Sequence, residues 1–84
     1  MIGLVIVTHG QLATAFVEAL EHVVGPRDNI RAVCIYPKDN TDKNRENILK
    51  MVEEVDRGEG VIVLTDLFGG TPSNLAISAL GIKP

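Results

Sequence analysis

The sequence predicts an α/β fold, in which a doubly wound parallel sheet lies between two layers of helices. Apolar runs alternate with segments of helical periodicity, in the order strand, helix, strand, helix, strand, helix. Crossovers between parallel strands are right-handed, so the strand order 2-1-3 places the first two helices on opposite faces of the sheet. The 84 residues provide for one small domain, and a 1-2-3 order would leave one face of its sheet bare.

The first strand and the first helix are predicted at residues 2–8 and 11–24. The strand is almost continuously apolar, as expected for a strand that is buried on both faces. Gly25 and Pro26 then end the helix in the usual way. Within the helix, apolar residues recur at spacings of three and four: Leu12, Phe16, Leu20 and Val23.

The second strand and the second helix are predicted at residues 30–36 and 42–56. Pro37 stops the strand, and the polar residues 38–41 offer several candidates for the N-cap of the helix. Gly58 ends the helix. Its apolar stripe consists of Ile48, Leu49, Val52 and Val55.

The third strand is predicted at residues 60–66 and the third helix at residues 72–80. Thr71 and Pro72 have the residue types of an N-cap and a first helical position, and Gly81 ends the helix. In the 2-1-3 order, the chain leaves strands one and three in opposite directions, so the switch point of the sheet lies between these two strands. Ligands of parallel α/β proteins bind at such a switch point, outside the carboxyl ends of the strands.

Composition and charge exclude several function classes. The net charge is −3 and there is no basic stretch, which argues against a nucleic acid or an anionic membrane as partner. One cysteine rules out an internal disulfide, and Cys34 lies in an apolar run, where a small buried hydrophobic residue is expected. With two histidines and no clustered ligand spacing, we expect neither a metal nor another cofactor. The first apolar run is too short to span a membrane and has no signal-peptide features, so a cytoplasmic location is expected.

Polar residues follow the two neighbouring strands at this switch point. His9 follows the first strand and Asp66 ends the third, so the predicted order brings them together. A carboxylate that accepts from one ring nitrogen orients an imidazole and makes the other nitrogen more nucleophilic. Backbone N–H groups at the following helix starts are suited to phosphoryl oxygens. We therefore predict His9 and Asp66 as catalytic residues. The predicted phosphate-binding residues are Gly10, Gly69, Gly70 and Thr71.

The second histidine has a different setting. His22 lies late in the first helix, shortly before Gly25. A histidine there is suited to the negative end of the helix or to solvent. We expect no catalytic role for it.

Two segments resemble the mannose/fructose-type enzyme IIA of the bacterial phosphoenolpyruvate:sugar phosphotransferase system. They are residues 5–10, VIVTHG, and residues 64–74, LTDLFGGTPSN. The resemblance extends in order over the whole chain. It implies a phosphotransferase component in which His9 accepts a phosphoryl group from the phosphocarrier protein HPr and passes it to a IIB domain. It also implies that Asp66 is hydrogen-bonded to His9 and that Thr71 lies near the phosphate.

The same resemblance implies features beyond the site. Family members are longer, with a fourth strand and a homodimer interface, so residues 1–84 are expected to form a single, incomplete enzyme IIA domain. Contact with the membrane would be indirect, through the permease. The sugar is not indicated, because this domain does not touch it.

Two alternatives remain open at this stage. The phosphotransfer subunit of a dihydroxyacetone kinase uses a similar domain, and a flavodoxin-like nucleotide or flavin module uses the same crevice. The low aromatic content of 4% and the absence of a Gly-x-Gly-x-x-Gly segment after the first strand argue against the flavodoxin-like module. A histidine phosphatase is disfavoured, because its arginine before the histidine is replaced by Thr8.

Overall fold

The computed structural model describes residues 2–66, 74, 75 and 77. Within them the chain alternates strands and helices in the predicted order. Each predicted boundary of these five elements agrees with the structure to within one residue. The elements are β1 (Gly3–His9), α1 (Leu12–Val24), β2 (Ile30–Ile35), α2 (Thr41–Val55) and β3 (Val61–Thr65).

The three strands form one parallel sheet in the order β2-β1-β3, which confirms the predicted 2-1-3 topology. The register places His9 opposite Ile35 of β2. On the other side of β1, Val7 lies opposite Thr65 of β3. Asp66 therefore follows β3 beside the last residues of β1, where the sequence predicted the site.

Alternate residues of the strands face the two helical layers. On one face, buried strand residues pack with Ile48 and Val55 of α2. On the other face, Thr8 and Cys34 are hydrogen-bonded to residues of α1. The helices thus cover opposite faces, as predicted for a three-layer α/β/α fold. The strand residues of the α2 core are Val5, Val7, Val33, Ile35, Val61 and Val63.

The apolar stripe of α1 is not the surface with which this helix packs on the sheet. Ala13 is fully buried, whereas the exposed fractions of Leu12, Phe16 and Val23 are 51%, 47% and 80%. A small residue allows the helix to approach the strands closely, so α1 lies over β1 and β2. Leu12 and Phe16 instead line an open depression beside Leu64 of β3. The periodicity thus predicted a helix correctly but does not mark the side that the sheet covers.

The start of β1 approaches the end of α2 so closely that only glycine fits there. A Cβ atom built on Gly3 would lie 2.6 Å from both Cγ2 and the carbonyl oxygen of Val55. Ordinary contacts of a Cβ atom begin at about 3.4 Å, so any side chain at Gly3 would displace the helix end. Gly3 therefore permits the packing between β1 and α2.

Two further observations complete the comparison with the predicted elements. The predicted third helix lies mostly outside the described residues. Three residues of its range are described: Asn74, Leu75 and Ile77 are helical, and Leu75 is buried. No helix among the described residues is long and apolar enough to cross a membrane.

Candidate functional site

The site is centred on His9, the last residue of β1. Thr8, directly before it, is 3% exposed, whereas half of the His9 side chain is accessible. The strand thus anchors the backbone of His9 in the sheet and leaves the imidazole at the surface. A nucleophile that receives a group from another protein needs this combination of fixed position and access.

Asp66 holds His9 through one carboxylate oxygen. Its Oδ2 accepts from the backbone N–H of His9 at 3.2 Å and lies 3.1 Å from Nδ1 of the ring. An ionised carboxylate only accepts hydrogen bonds, so Nδ1 carries the proton and Nε2 carries the lone pair. The arrangement leaves Nε2 as the nucleophilic nitrogen.

The contact with His9 also fixes the charge of Asp66. The His9 side-chain hydrogen bond, as the largest contribution, holds the pKa of Asp66 below its ordinary value of 3.8, against an opposing effect of desolvation. Hydrogen bonds that favour the ionised form lower the pKa of a carboxyl group. Asp66 is therefore an anion at neutral pH and is able to stabilise positive charge on the ring.

Gly10 forms the turn that leads from His9 into α1. Its φ of 55° lies in the left-handed region, which glycine adopts without a steric penalty. The prediction gave Gly10 a role in phosphate binding, but its N–H already donates to the carbonyl oxygen of Ile35 at 2.9 Å. Within the described residues, the N–H groups of Gln11 and Leu12 have no acceptor and are the available donors at the start of α1.

Thr8 belongs to the site through a contact that the sequence analysis missed. Its buried Oγ1 accepts from the N–H of Ala13 at 2.6 Å. The side chain at the N-cap position, Gln11, makes no capping hydrogen bond, so Thr8 caps α1 from the preceding strand. A hydroxyl three residues before the N-cap is not part of the usual capping pattern, which explains why it escaped notice.

A recess opens beside His9 on the β2 side of the sheet and holds about 350 Å³. We call it the β2-side recess. Its apolar wall consists of Ile35, Pro37 and Leu75. Tyr36 also lines it, and the remaining lining residues are polar: His9, Asp39, Thr41 and Asn44.

The other sequence-predicted residues divide into two groups. Gly69, Gly70 and Thr71 lie outside the described residues, so their phosphate-binding role stays a prediction. His22 is exposed in the last turn of α1, ten residues after Leu12 and about 15 Å further along the helix axis. It is therefore well separated from His9.

The structure also bears on the expectations for Cys34 and for metal binding. Cys34 of β2 is only partly buried, and its Sγ lies 3.1 Å from Oγ1 of Thr14, a polar residue of α1. It is thus not the fully buried hydrophobic residue that the sequence suggested. In the part of the chain that the structure describes, no three His, Cys, Asp or Glu side chains are grouped to hold a metal ion.

Comparisons with known proteins agree on one family. The family model described as "PTS system fructose IIA component" matches residues 3–84. The mannose-specific EIIAB component of Escherichia coli K12 is 31% identical over 75 residues, which cover 89% of this chain and 23% of that protein. The fructose-specific EIIA component of Bacillus subtilis is 30% identical over 78 residues, which cover 93% of this chain and 53% of that protein.

Solved structures give the same result. The phosphotransferase system component EIIA from Streptococcus agalactiae superposes with a TM-score of 0.79 at 30% identity, covering 96% of this chain and 59% of that chain. The PTS IIA protein associated with the fucose utilization operon of Streptococcus pneumoniae gives 0.79 at 32% identity, covering 90% and 58%. The chain thus spans between about a quarter and three fifths of the relatives it matches.

Proposed function

The chain belongs to the enzyme IIA family of the sugar phosphotransferase system, and on that premise we propose that His9 is its phosphoryl carrier. In this proposal His9 accepts a phosphoryl group from HPr and passes it to a IIB domain. The observation that carries it is the contact of 3.1 Å between Nδ1 of His9 and the carboxylate of Asp66. This contact fixes the tautomer in which Nε2 is the nucleophile.

The transfer follows from this geometry. The lone pair of Nε2 forms a bond to phosphorus while the bond from phosphorus to the donor imidazole breaks, and that electron pair returns to the donor nitrogen. The proton on Nδ1 stays between the ring and Asp66. Positive charge that develops on the His9 ring is then stabilised by the adjacent carboxylate. Transfer to the next protein is the same step in reverse.

Donors for the phosphoryl oxygens are the second requirement. In the described part of the chain the N–H groups of Gln11 and Leu12 have no acceptor, and the helix dipole at this start of α1 also favours negative charge. We propose that Gly69, Gly70 and Thr71 supply the donors on the other side. Gly10 contributes the turn that places α1 beside the imidazole.

The proposed partners follow from the family and from the exposure of the ring. Half of the His9 side chain is accessible, so a partner protein is able to bring its own phosphorylated residue to Nε2. HPr is the proposed donor and a IIB domain the proposed acceptor. We propose further that residues 1–84 belong to a single enzyme IIA domain, of which they form an incomplete part, and that the full-length domain acts as a homodimer.

Labelling decides whether His9 is the carrier. Enzyme I, HPr and ³²P-labelled phosphoenolpyruvate are incubated with the protein, and the acid lability of the incorporated label is measured. We expect acid-labile label in the wild type and in His22→Ala, and none in His9→Ala. Label that persists in His9→Ala, located by mass spectrometry at another residue, would refute the proposal.

A further inference from the structure

The β2-side recess contains a carboxylate that has no role in the transfer step proposed above. Asp39 lines this recess together with His9, yet it does not contact the imidazole, whose Nδ1 is held by Asp66. Among the described residues that line the recess, none is Lys or Arg. Asp39 therefore lies beside the phosphoryl site, and no lysine or arginine of the described part of the chain shares the recess with it.

The position of Asp39 is fixed by the turn between β2 and α2. Its Oδ2 accepts from the backbone N–H of Tyr36 at 2.9 Å, and its own N–H donates to the carbonyl oxygen of Tyr36 at 3.0 Å. Asn40 then caps α2 by accepting from Asp42 N and Lys43 N. These bonds hold the carboxylate in place, so little conformational entropy is lost when a ligand binds to it.

Polar groups in the recess remain available. In the described part of the chain, Oδ1 of Asp39 and the side chains of Thr41 and Asn44 have no hydrogen-bond partner. Their oxygens are acceptors of the kind that bind ammonium and guanidinium groups. The apolar part of the lining, with Ile35 and Pro37, suits the methylene stem of a long side chain. This combination matches lysine or arginine.

Electrostatics supports a basic side chain over an acidic or neutral one. A phosphoryl group brings between about 1.5 and 2 negative charges to a site that already holds Asp39 and Asp66. A partner that approaches with this group meets repulsion from both carboxylates unless it also brings positive charge. A cation in the recess would remove the repulsion from Asp39 and lie close to the transferring group.

We propose that the β2-side recess binds a lysine or arginine side chain of the protein that exchanges the phosphoryl group with His9, with Asp39 as its ionic partner. This inference rests on the proposed function of His9. An exposed ion pair contributes little to stability, typically less than about 1 kcal/mol. Its effect is instead on the rate of productive encounter, which is sensitive to charge and to salt.

The test compares a protein donor with a small one. Phosphorylation of His9 is measured with phosphorylated HPr and, separately, with phosphoramidate, which carries no basic side chain. Asp39→Asn keeps an oxygen that accepts from Tyr36 N, so the turn is preserved. We expect Asp39→Asn to lower the second-order rate constant for transfer from HPr by a factor about ten times larger than the factor by which it lowers the rate with phosphoramidate. We also expect it to weaken the salt dependence of transfer from HPr.

Two further variants sharpen the result. Glu53→Gln is the control, because it removes one negative charge, as Asp39→Asn does, but at an exposed position of α2. It should leave the rate with HPr unchanged. Asn44→Asp adds a carboxylate to the recess and should raise that rate about threefold at low salt. Circular dichroism confirms that each variant is folded.

The outcomes separate this inference from the proposed function. Absence of label at His9 of the wild type with phosphorylated HPr would refute the proposed function. Normal labelling together with wild-type kinetics and salt dependence in Asp39→Asn would overturn the assignment of the recess. Equal losses with both donors would also overturn it, because Asp39 would then act on His9 and not on a partner.

Discussion

Asp66 binds His9 twice through the same oxygen, once at the ring and once at the backbone. Oδ2 lies 3.1 Å from Nδ1 and 3.2 Å from the N–H of His9. The contact joins the ends of β1 and β3, 57 residues apart in sequence. Asp66 thus fixes both the orientation of the imidazole and its position relative to the neighbouring strand.

The first prediction concerns the orienting role of Asp66. Asp66→Asn replaces the anion by a weaker, neutral acceptor, so the wrong tautomer of His9 becomes accessible. Transfer from phosphorylated HPr should slow by between about tenfold and a hundredfold, the range found for carboxylates that orient metal-bound histidines. Stopped-flow or rapid-quench kinetics measures the rate, and the ¹⁵N spectrum of His9 reports the tautomer. A folded Asp66→Asn protein with wild-type kinetics would contradict the role.

The second prediction concerns the ionisation of Asp66. The pKa of this carboxyl is held below 3.8, chiefly by the hydrogen bond from the His9 side chain. Because the folded-state pKa is the lower one, ionised Asp66 stabilises the fold above its ordinary pKa, and this contribution is lost as the pH falls through the lowered value. A ¹³C titration should give a value below 3.8 in the wild type and a higher value in His9→Ala. Equal values in both proteins would show that His9 is not the cause.

The third prediction tests the cap that Thr8 provides for α1. Thr8→Val keeps the shape of the side chain but removes the oxygen that accepts from Ala13 N. The free energy of unfolding should fall by between about 0.5 and 2 kcal/mol, as for the loss of an N-cap. Thr8→Ser retains the hydroxyl and should lose less. Urea titrations of both variants measure the difference, and equal losses would rule out the cap.

The sequence predicted His9 and Asp66 as neighbours, which the structure confirms, because both features that place them are regular. Buried strands give continuous apolar runs, and right-handed crossovers limit the strand orders, so the ends of β1 and β3 were predictable as neighbours. The cap from Thr8 was not predictable, because it depends on the path of one tight turn. Asp39 also escaped notice, since a carboxylate in a polar loop looks like any other turn residue until the fold brings it beside His9.

The fourth prediction concerns the approach of β1 to α2. In Gly3→Ala, the new Cβ atom would meet Val55 at 2.6 Å, at both a side-chain and a backbone atom. Shortening Val55 would relieve only the first of these, so the helix end must shift. Overpacking of this kind costs between about 1 and 3 kcal/mol of unfolding free energy. Denaturant unfolding measures the loss, and an unchanged midpoint would contradict the close approach.

The last prediction concerns residues 1–84 produced in isolation. β3 has β1 on one side, and on the α1 face its side chains Ile62 and Leu64 are 50% and 42% exposed. Phe16 of α1 is exposed beside Leu64, where both line a depression of about 360 Å³. An apolar edge strand that remains accessible promotes association with other chains. We expect isolated residues 1–84 to self-associate, and an extension that adds a fourth strand to yield a soluble dimer.

Sedimentation velocity and circular dichroism of the two proteins measure association and folding. Leu64→Lys on the shorter protein is the matched variant, because a charge on this edge should reduce association while the α2 side of the sheet keeps its packing. Glu18→Lys, on the exposed side of α1, changes charge without altering the apolar surface and should leave association in place. A compact monomer of residues 1–84 that melts cooperatively would show that the edge of β3 is already covered.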